Sequence, residues 1–510
     1  MTSSGLGSST YEKLIDHVRE EHLLRTTASL LSWDQEVMMP RAGVEHRSRQ
    51  CALLARLAHQ MTIDSRVGEW LSACEEDDQL MSDPLAVASV NVRELRRHHD
   101  RAVKLPQELV EQIAATSSTA RAHWEVARRE NDFDQFKPWL SKIVELTRRK
   151  AECLGWPEGG EPWDALADAY EPGLSAASVS AVFDPLRERL VRLNEKLLGS
   201  TQPPANCFSG VTLREAPMRR FVRDVAGRLG FDFSRGRLDT STHPFCATLA
   251  EHDVRMTTRY GESNPIEPLF STMHETGHGI YNQGLPAQHA GTPMGSSVSL
   301  SIHESQSRLW ENQVGRSRAF WTWSFPKLRR YFGATVKSLS PEAVYASANR
   351  VQPQCIRVEA DEATYNLHIV VRFELERSLM NDSLAVGDLP EAWAGQYKDA
   401  LGIDVPDDAQ GCLQDIHWSG GAIGYFPTYT LGNLYAAQFF EAASQQISDL
   451  PEQIAKGHFD SLRTWLGRGI HQQGMRYRSA ELCEQVTGKP LSAEPLMRHL
   501  EGKLKPVYGL

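Results

Sequence analysis

A mainly α-helical chain with one small β-sheet is what this sequence predicts, on three observations. Apolar residues recur at helical spacing over 43–60, 85–99, 107–130, 133–153, 176–199 and 212–229, with Pro, Gly or Asp/Asn punctuating the gaps. Over 231–260 the pattern changes to short extended runs between turn residues. From 266 to the end, helical patterning returns.

In chain order, Ser9-Thr10-Tyr11-Glu12 reads as a capping box that opens a helix through the 17–31 region. Trp33-Asp34-Gln35-Glu36 follows, and packing with capping explains it better than chemistry does. The segment 200–210, with Pro203 and Pro204, reads as a loop that does not clearly divide domains. Phe231-Asp232-Phe233, His243-Pro244-Phe245 and Val254-Arg255-Met256-Thr257-Thr258 then read as three short strands. A sheet so placed offers an edge to which an extended peptide would pair through main-chain hydrogen bonds, with the strand around 253–258 as its holder.

Pro265 and Pro268 sit where the next helix begins, Leu269, Phe270 and Met273 supply its apolar residues, and Gly284 with Pro286 marks its end. A further helix is predicted over 300–314. The run Ile356-Arg357-Val358-Glu359-Ala360-Asp361-Glu362 opens another, with apolar residues at 356, 360, 363, 367, 370/371 and 375. Glycines at 420, 421 and 424, set between His417, Tyr425 and Tyr429, predict a loop that lets polar side chains converge. There is no internal repeat and no low-complexity linker.

The 510 residues and 57.2 kDa suffice for one large domain or two or three smaller ones. A net charge of −10 and a pI near 6.0 argue against nucleic acid or an anionic membrane as the main partner. No run of about 18 apolar residues offers a membrane span. Residues 1–9 are small and polar, without a basic-plus-apolar signal segment. The eight cysteines are scattered with no C-x-x-C spacing, as expected of reduced thiols in a cytoplasmic enzyme.

Chemistry concentrates in His274-Glu275-Thr276-Gly277-His278. Residues four apart on a helix lie about 40° apart in projection, so the two imidazoles address one point. Glu275 lies roughly 60° around from His278, placed to touch a water on a metal rather than to ligate it. With 18 His in 510 residues, the bare H-E-x-x-H pattern arises by chance in roughly one chain in twenty or thirty, and two buried structural histidines are the alternative. A catalytic zinc needs a third protein ligand and an open position. Glu304 is the nearest strong candidate, and an i,i+4 ion pair with Arg308 is its other reading.

Two more polar clusters have two readings each. Arg357, Asp361, Thr364 and His368 form a stripe, either an Arg357–Asp361 pair on a solvated face or an arginine whose planar fork clamps a carboxylate. His417, Tyr425 and Tyr429 are either core aromatics around a turn or hydrogen-bond donors to a developing oxyanion.

Taken together these motifs resemble the carboxypeptidase Taq family of zinc metallocarboxypeptidases. The matching text is Trp33-Asp34-Gln35 with Met39-Pro40, His243-Pro244-Phe245, Asp253-Val254-Arg255-Met256-Thr257 and the 274–278 pentapeptide. It continues through His303-Glu304-Ser305-Gln306-Ser307-Arg308, the 356–362 run with Tyr365-Asn366-Leu367, and Gln414-Asp415-Ile416-His417-Trp418. The blocks span nearly the whole chain in order. The resemblance implies a single domain over 1–510 with a neurolysin-like helical fold and a long central groove. Its parts are a helical N-terminal half at about 1–230, a small sheet at 231–260, catalytic helices at 266–440 and C-terminal helices at 441–510. It implies a homodimer that removes single residues from peptide C-termini with broad tolerance. It also implies one zinc per chain held by His274, His278 and Glu304, with cobalt or manganese as substitutes at such N/O donors, and Glu275 as general base. Arg357 becomes the carboxylate clamp and His417 and Tyr425 become transition-state donors, while His243, Arg255 and Tyr429 fall on the substrate side. Thr276 and Glu251-His252 depart from the family pattern and bear on substrate preference. An oligo-endopeptidase with the same site, or a metal-free peptide-binding scaffold, are the competing readings.

Overall fold

Helices dominate, and most begin and end where the sequence gives a physical reason. The computed structural model describes residues 4–261 and 265–510, so the first three residues of the polar N-terminal stretch lie outside it. The first helices are α1 (Ser4–Val37), α2 (Val44–Thr62), α3 (Ser65–Glu75), α4 (Val87–Val103), α5 (Gln107–Glu130), α6 (Phe133–Leu154), α7 (Pro162–Ala167), α8 (Ala176–Leu198) and α9 (Glu215–Leu229). Asn131 in the left-handed region stops α5, and the Asp132 side chain accepts from the Gln135 N–H to start α6. Ser175 caps α8 in the same way through the Ser178 N–H. The capping box expected at residues 9–12 is not used: α1 begins earlier and runs through it, there being no proline to stop it.

Three strands, β1 (Gly236–Thr240), β2 (Cys246–Ala250) and β3 (Asp253–Thr258), form a sheet in the order β1-β3-β2. β1 runs parallel to β3 and β2 antiparallel to it. Phe231–Phe233 is not a strand, because Asp232 turns its carboxylate onto the N–H and hydroxyl of Ser234 and makes a turn of its own. His243–Phe245 likewise leads into β2 rather than forming a strand. The strand expected to hold a peptide, β3, is central, so both its edges are already paired and only β1 and β2 keep a free one.

The remaining helices are α10 (Glu267–Gln283), α11 (Leu300–Arg308), α12 (Arg318–Phe332), α13 (Pro341–Ala348), α14 (Tyr365–Met380), α15 (Leu389–Leu401), α16 (Pro427–Gln446), α17 (Leu450–Ala455), α18 (Asp460–Gly469), α19 (Ser479–Thr487) and α20 (Glu494–Val507). A π-helical turn, Leu309–Val314, continues α11. α10 opens with Pro268 in its first turn and ends at Gly284, as the sequence predicts. The 356–362 run does not open a helix: it makes a short 3₁₀ turn, Arg357–Glu359, and α14 starts only at Tyr365. Asp361 causes the break, since its carboxylate accepts from the N–H groups of Ala363 and Thr364 and from the Thr364 hydroxyl. The Arg357–Asp361 pair is therefore not formed.

The chain falls into two compact units, each assembled from three stretches. The first comprises Met1–Val103, Asn206–Tyr345 and Tyr435–Leu491; the second comprises Lys104–Ala205, Ala346–Leu434 and Ser492–Leu510. One boundary falls inside the 200–210 loop. Met256, Met273, Tyr281, Trp310 and Trp321 are buried in the core of the first unit, and Trp163, Phe183, Phe373 and Trp393 in that of the second. Among the described residues no helix is long and apolar enough to cross a membrane.

Candidate metal centre and arginine cluster

In the first unit, helical periodicity puts His274 and His278 on one face of α10, and Gly277 lets α11 come close to that helix. A Cβ on Gly277 would lie 2.4 Å from the Gln306 carbonyl oxygen, so no larger residue fits there without displacing α11. That approach brings Glu304 to the imidazoles. Its Oε2 lies 3.6 Å from His274 Nε2 and 3.5 Å from His278 Nε2. Ligands about 2.0–2.1 Å from a tetrahedral metal are about 3.4 Å apart, so the spacing fits a shared cation. Among the described residues this is the one group of three or more His, Cys, Asp or Glu arranged to hold a metal ion.

The ion-pair reading of Glu304 is realised on one oxygen, which leaves the other turned to the imidazoles. Arg308 Nε donates to Oε1 at 2.7 Å while Oε2 faces the histidines. Burial alone would raise the Glu304 carboxyl, but Arg308 and the imidazoles hold it far below the ordinary range. Glu275 is 5% exposed, and its Oε2 has no hydrogen-bond partner. Burial raises its pKa. An orphaned carboxylate oxygen beside three converging ligand atoms is what a metal-bound water would satisfy, so the residues present fit a metal.

Sequence reasoning missed the supporting residues. Glu311 Oε2 lies 2.9 Å from His274 Nδ1 and accepts a hydrogen bond from that nitrogen's N–H. Arg308 donates to the same oxygen, and Arg316 reaches Oε1. Burial opposes its ionisation, yet Arg308 and His274 bring the Glu311 carboxyl down to about 2. Glu304, Arg308 and Glu311 follow at spacings of four and three, and that periodicity was the available signal. His303 stacks on His278 with ring centres 4.3 Å apart and donates to Asn282 Oδ1, which in turn sits on the residue that reaches Cys246 of β2.

His243 is exposed on the turn before β2. Arg255 lies on the sheet face turned away from α10: Thr258 and Met256 meet α10 at Ser271 and Gly279. Arg255 pairs instead with Asp253 through two hydrogen bonds of 2.8 Å, and its guanidinium lies 4.4 Å from the Trp33 ring. Arg237 is 4.9 Å from the same ring, so Trp33 is a packing residue between two cations.

In the second unit the structure brings Arg357, His417, Tyr425 and Tyr429 together around Asp415, which sequence reasoning passed over. Arg357 Nε and Nη2 donate to Asp415 Oδ1 at 3.2 and 2.7 Å, and its Nη1 donates to the Tyr365 hydroxyl. Arg372, fully buried, donates to Asp415 Oδ2 at 2.7 Å. Despite burial, the two guanidinium groups hold Asp415 far below the carboxylate range. Burial takes His417 down to about 4, so it is neutral at neutral pH. The Tyr429 ring lies 5.1 Å from Arg357, and its hydroxyl donates to that of Tyr425 at 3.4 Å. Asp415 reaches across 43 to 58 residues to its arginines, and no local pattern announces such a partner.

A family profile described as carboxypeptidase Taq (M32) metallopeptidase matches residues 13–504. Thermostable carboxypeptidase 1 of Thermus thermophilus is 45% identical over 506 residues, 98% of this chain and 99% of that protein. Thermostable carboxypeptidase 1 of Pyrococcus furiosus is 36% identical over 505 residues, 97% of this chain and 98% of its own. The crystal structure of an M32 carboxypeptidase from Deinococcus radiodurans R1 has a TM-score of 0.94 at 38% identity, covering 98% of this chain and 100% of that one.

Proposed function

Because the chain belongs to the carboxypeptidase Taq (M32) family, and is thus a metallocarboxypeptidase acting on peptides, we propose that it uses zinc to release single C-terminal residues with broad side-chain tolerance. The convergence of His274 Nε2, His278 Nε2 and Glu304 Oε2 carries this reading. Zinc held by these residues supplies Lewis acidity and a bound water of pKa about 7, and cobalt or manganese suits the same N/O donors. Glu275 takes the proton from the attacking water and delivers it to the leaving amine. Its raised proton affinity suits a base that must hold that proton between the two events. His417 and Tyr425 donate hydrogen bonds to the carbonyl oxygen as charge develops on it.

Arg357 and Arg372 share one carboxylate, Asp415, and so present an excess of positive charge. That excess recognises the substrate's free C-terminal carboxylate, with Tyr429 flanking Arg357. His243 is assigned to the substrate side, whereas Arg255, turned away from α10 and held by Asp253 and Trp33, is withdrawn from it. The extended peptide belongs on the free edge of β2 rather than on β3, because Cys246 of β2 lies against Asn282 of α10. We take 1–510 as one metallocarboxypeptidase domain, since stretches of both units interleave along the chain. We also assign it a homodimeric state, checked by light scattering, and a cytoplasmic location, in keeping with its free thiols.

Products released over time from a small peptide library test the reading. Free peptides should shorten one residue at a time from the carboxyl end, and C-terminally amidated ones should be spared. Internal cleavage of amidated peptides at equal rate would make the enzyme an oligo-endopeptidase instead. Glu275→Gln should keep its metal and lose about 10²–10⁴ in kcat; ordinary turnover in that variant would remove Glu275 from its role.

A further inference from the structure

Beneath the loop that carries His417 and Tyr425 lies a buried carboxyl that the mechanism above does not use. Glu376, on α14, is 0% exposed. Three N–H groups from separate places in the second unit converge on it. Trp418 Nε1 donates to Oε1 at 3.0 Å, while the Gly424 backbone N–H and Trp163 Nε1 donate to Oε2 at 2.9 and 3.1 Å. Trp163 belongs to α7, Trp418 to the 3₁₀ turn His417–Gly420, and Gly424 to the end of the glycine loop. Gly424 has φ +86°, and a Cβ there would lie 2.7 Å from the Ala167 backbone, so the loop is pressed against α7 at that point. His417 directly precedes Trp418 and Tyr425 directly follows Gly424. Both ends of the loop thus hang on one side chain.

We propose that Glu376 is a positioning residue, which fixes the 417–425 loop through Trp418 and Gly424 and thereby sets the places of His417 and Tyr425. The proposal rests on the reading of those two residues as catalytic donors. An apolar side chain would fill the site at less cost, since burial pushes the Glu376 carboxyl up to about 7. Only a side chain with two acceptor oxygens ties α7, the turn and the loop together at once.

Glu376→Gln separates positioning from space filling. Its amide oxygen takes over the Gly424 and Trp163 donors, which turns its NH₂ against Trp418 Nε1, donor against donor. The expected result is faster hydrogen exchange across 417–425 and a kcat lower by about a hundredfold, with metal content unchanged. Adding Trp418→Phe removes the opposing donor, so the double variant should exchange more slowly and turn over faster than Glu376→Gln alone. A space-filling Glu376 gives the opposite order, with the double variant worse than either single one, and that result overturns the proposal. If Glu376→Gln fails to fold, Trp418→Phe alone should still speed exchange at Gly424 and lower kcat several-fold with metal retained; unchanged exchange there overturns the proposal too. The underlying reading fails separately: Tyr425→Phe and His417→Gln at full kcat would remove the donors' role, whereas loop exchange in Glu376→Gln still decides what Glu376 holds.

Discussion

The two buried charged clusters are built from similar parts and balanced in opposite directions. Around α10 and α11, three carboxylates, Glu275, Glu304 and Glu311, face two arginines, Arg308 and Arg316, and two imidazoles whose Nε2 atoms turn toward Glu304. Around α14, two arginines, Arg357 and Arg372, face the single carboxylate of Asp415, with His417 neutral. The first sets three carboxylates against two guanidinium groups and leaves a Glu275 oxygen without a hydrogen-bond partner; the second sets two guanidinium groups on one shared carboxylate. Buried charge is expensive unless compensated, and on the proposed reading the first cluster takes a cation and the second an anion. Such a division suits an enzyme that must activate water and also recognise a free carboxylate.

The contrast breaks most severely at Arg357. Replacing it with Ala leaves Asp415 still paired with Arg372, so the loss in chemical unfolding should be that of the charge-assisted hydrogen bonds removed, about 1.5–3 kcal/mol. The same variant should lose about 10–100-fold of the preference for free over amidated peptides, the worth of a charge-assisted pair. Unchanged preference would deny the second cluster its anion. At the first cluster, Glu311→Gln keeps the shape but weakens the acceptor on His274, and chelator competition should show metal bound about 10–100-fold less tightly. Equal affinity would reduce Glu311 to a partner of the arginines.

The smallest effect is a pH slope. The Glu376 carboxyl sits at about 7 in the folded chain against an ordinary 4.5, so the folded state holds the extra proton between those values. Stability therefore falls as pH rises from about 4.5 to 7 and levels off above. The Tm of the wild type minus that of Glu376→Gln should decline over that window; a flat difference would mean that Glu376 is ionised throughout.

Helices were legible wherever caps and periodicity agreed, as in α5, α6 and α10. The candidate metal ligands were legible because their geometry is local to α10 apart from one carboxylate, and the ion pair that competed for Glu304 uses its other oxygen. Strand positions were harder. Asp232 among phenylalanines makes a turn, and the central place of β3 depends on a parallel partner that no alternation along β3 reveals. The 356–362 run misled because its apolar spacing extends a helix backwards past Asp361, whose cap-like bonds to Ala363 and Thr364 were the signal to stop. Asp415, Arg372 and Glu376 stayed hidden for a common reason: each acts through partners 40 or more residues away, and one sequence carries no trace of such pairings.

Metal content measured on wild type, Glu275→Gln and Glu304→Ala, purified alike, tests the cation site most directly. One zinc per chain is expected in the first two and almost none in the third. A Glu304→Ala chain that keeps its full complement of metal would contradict this expectation, because the cation would then be held somewhere other than between α10 and α11.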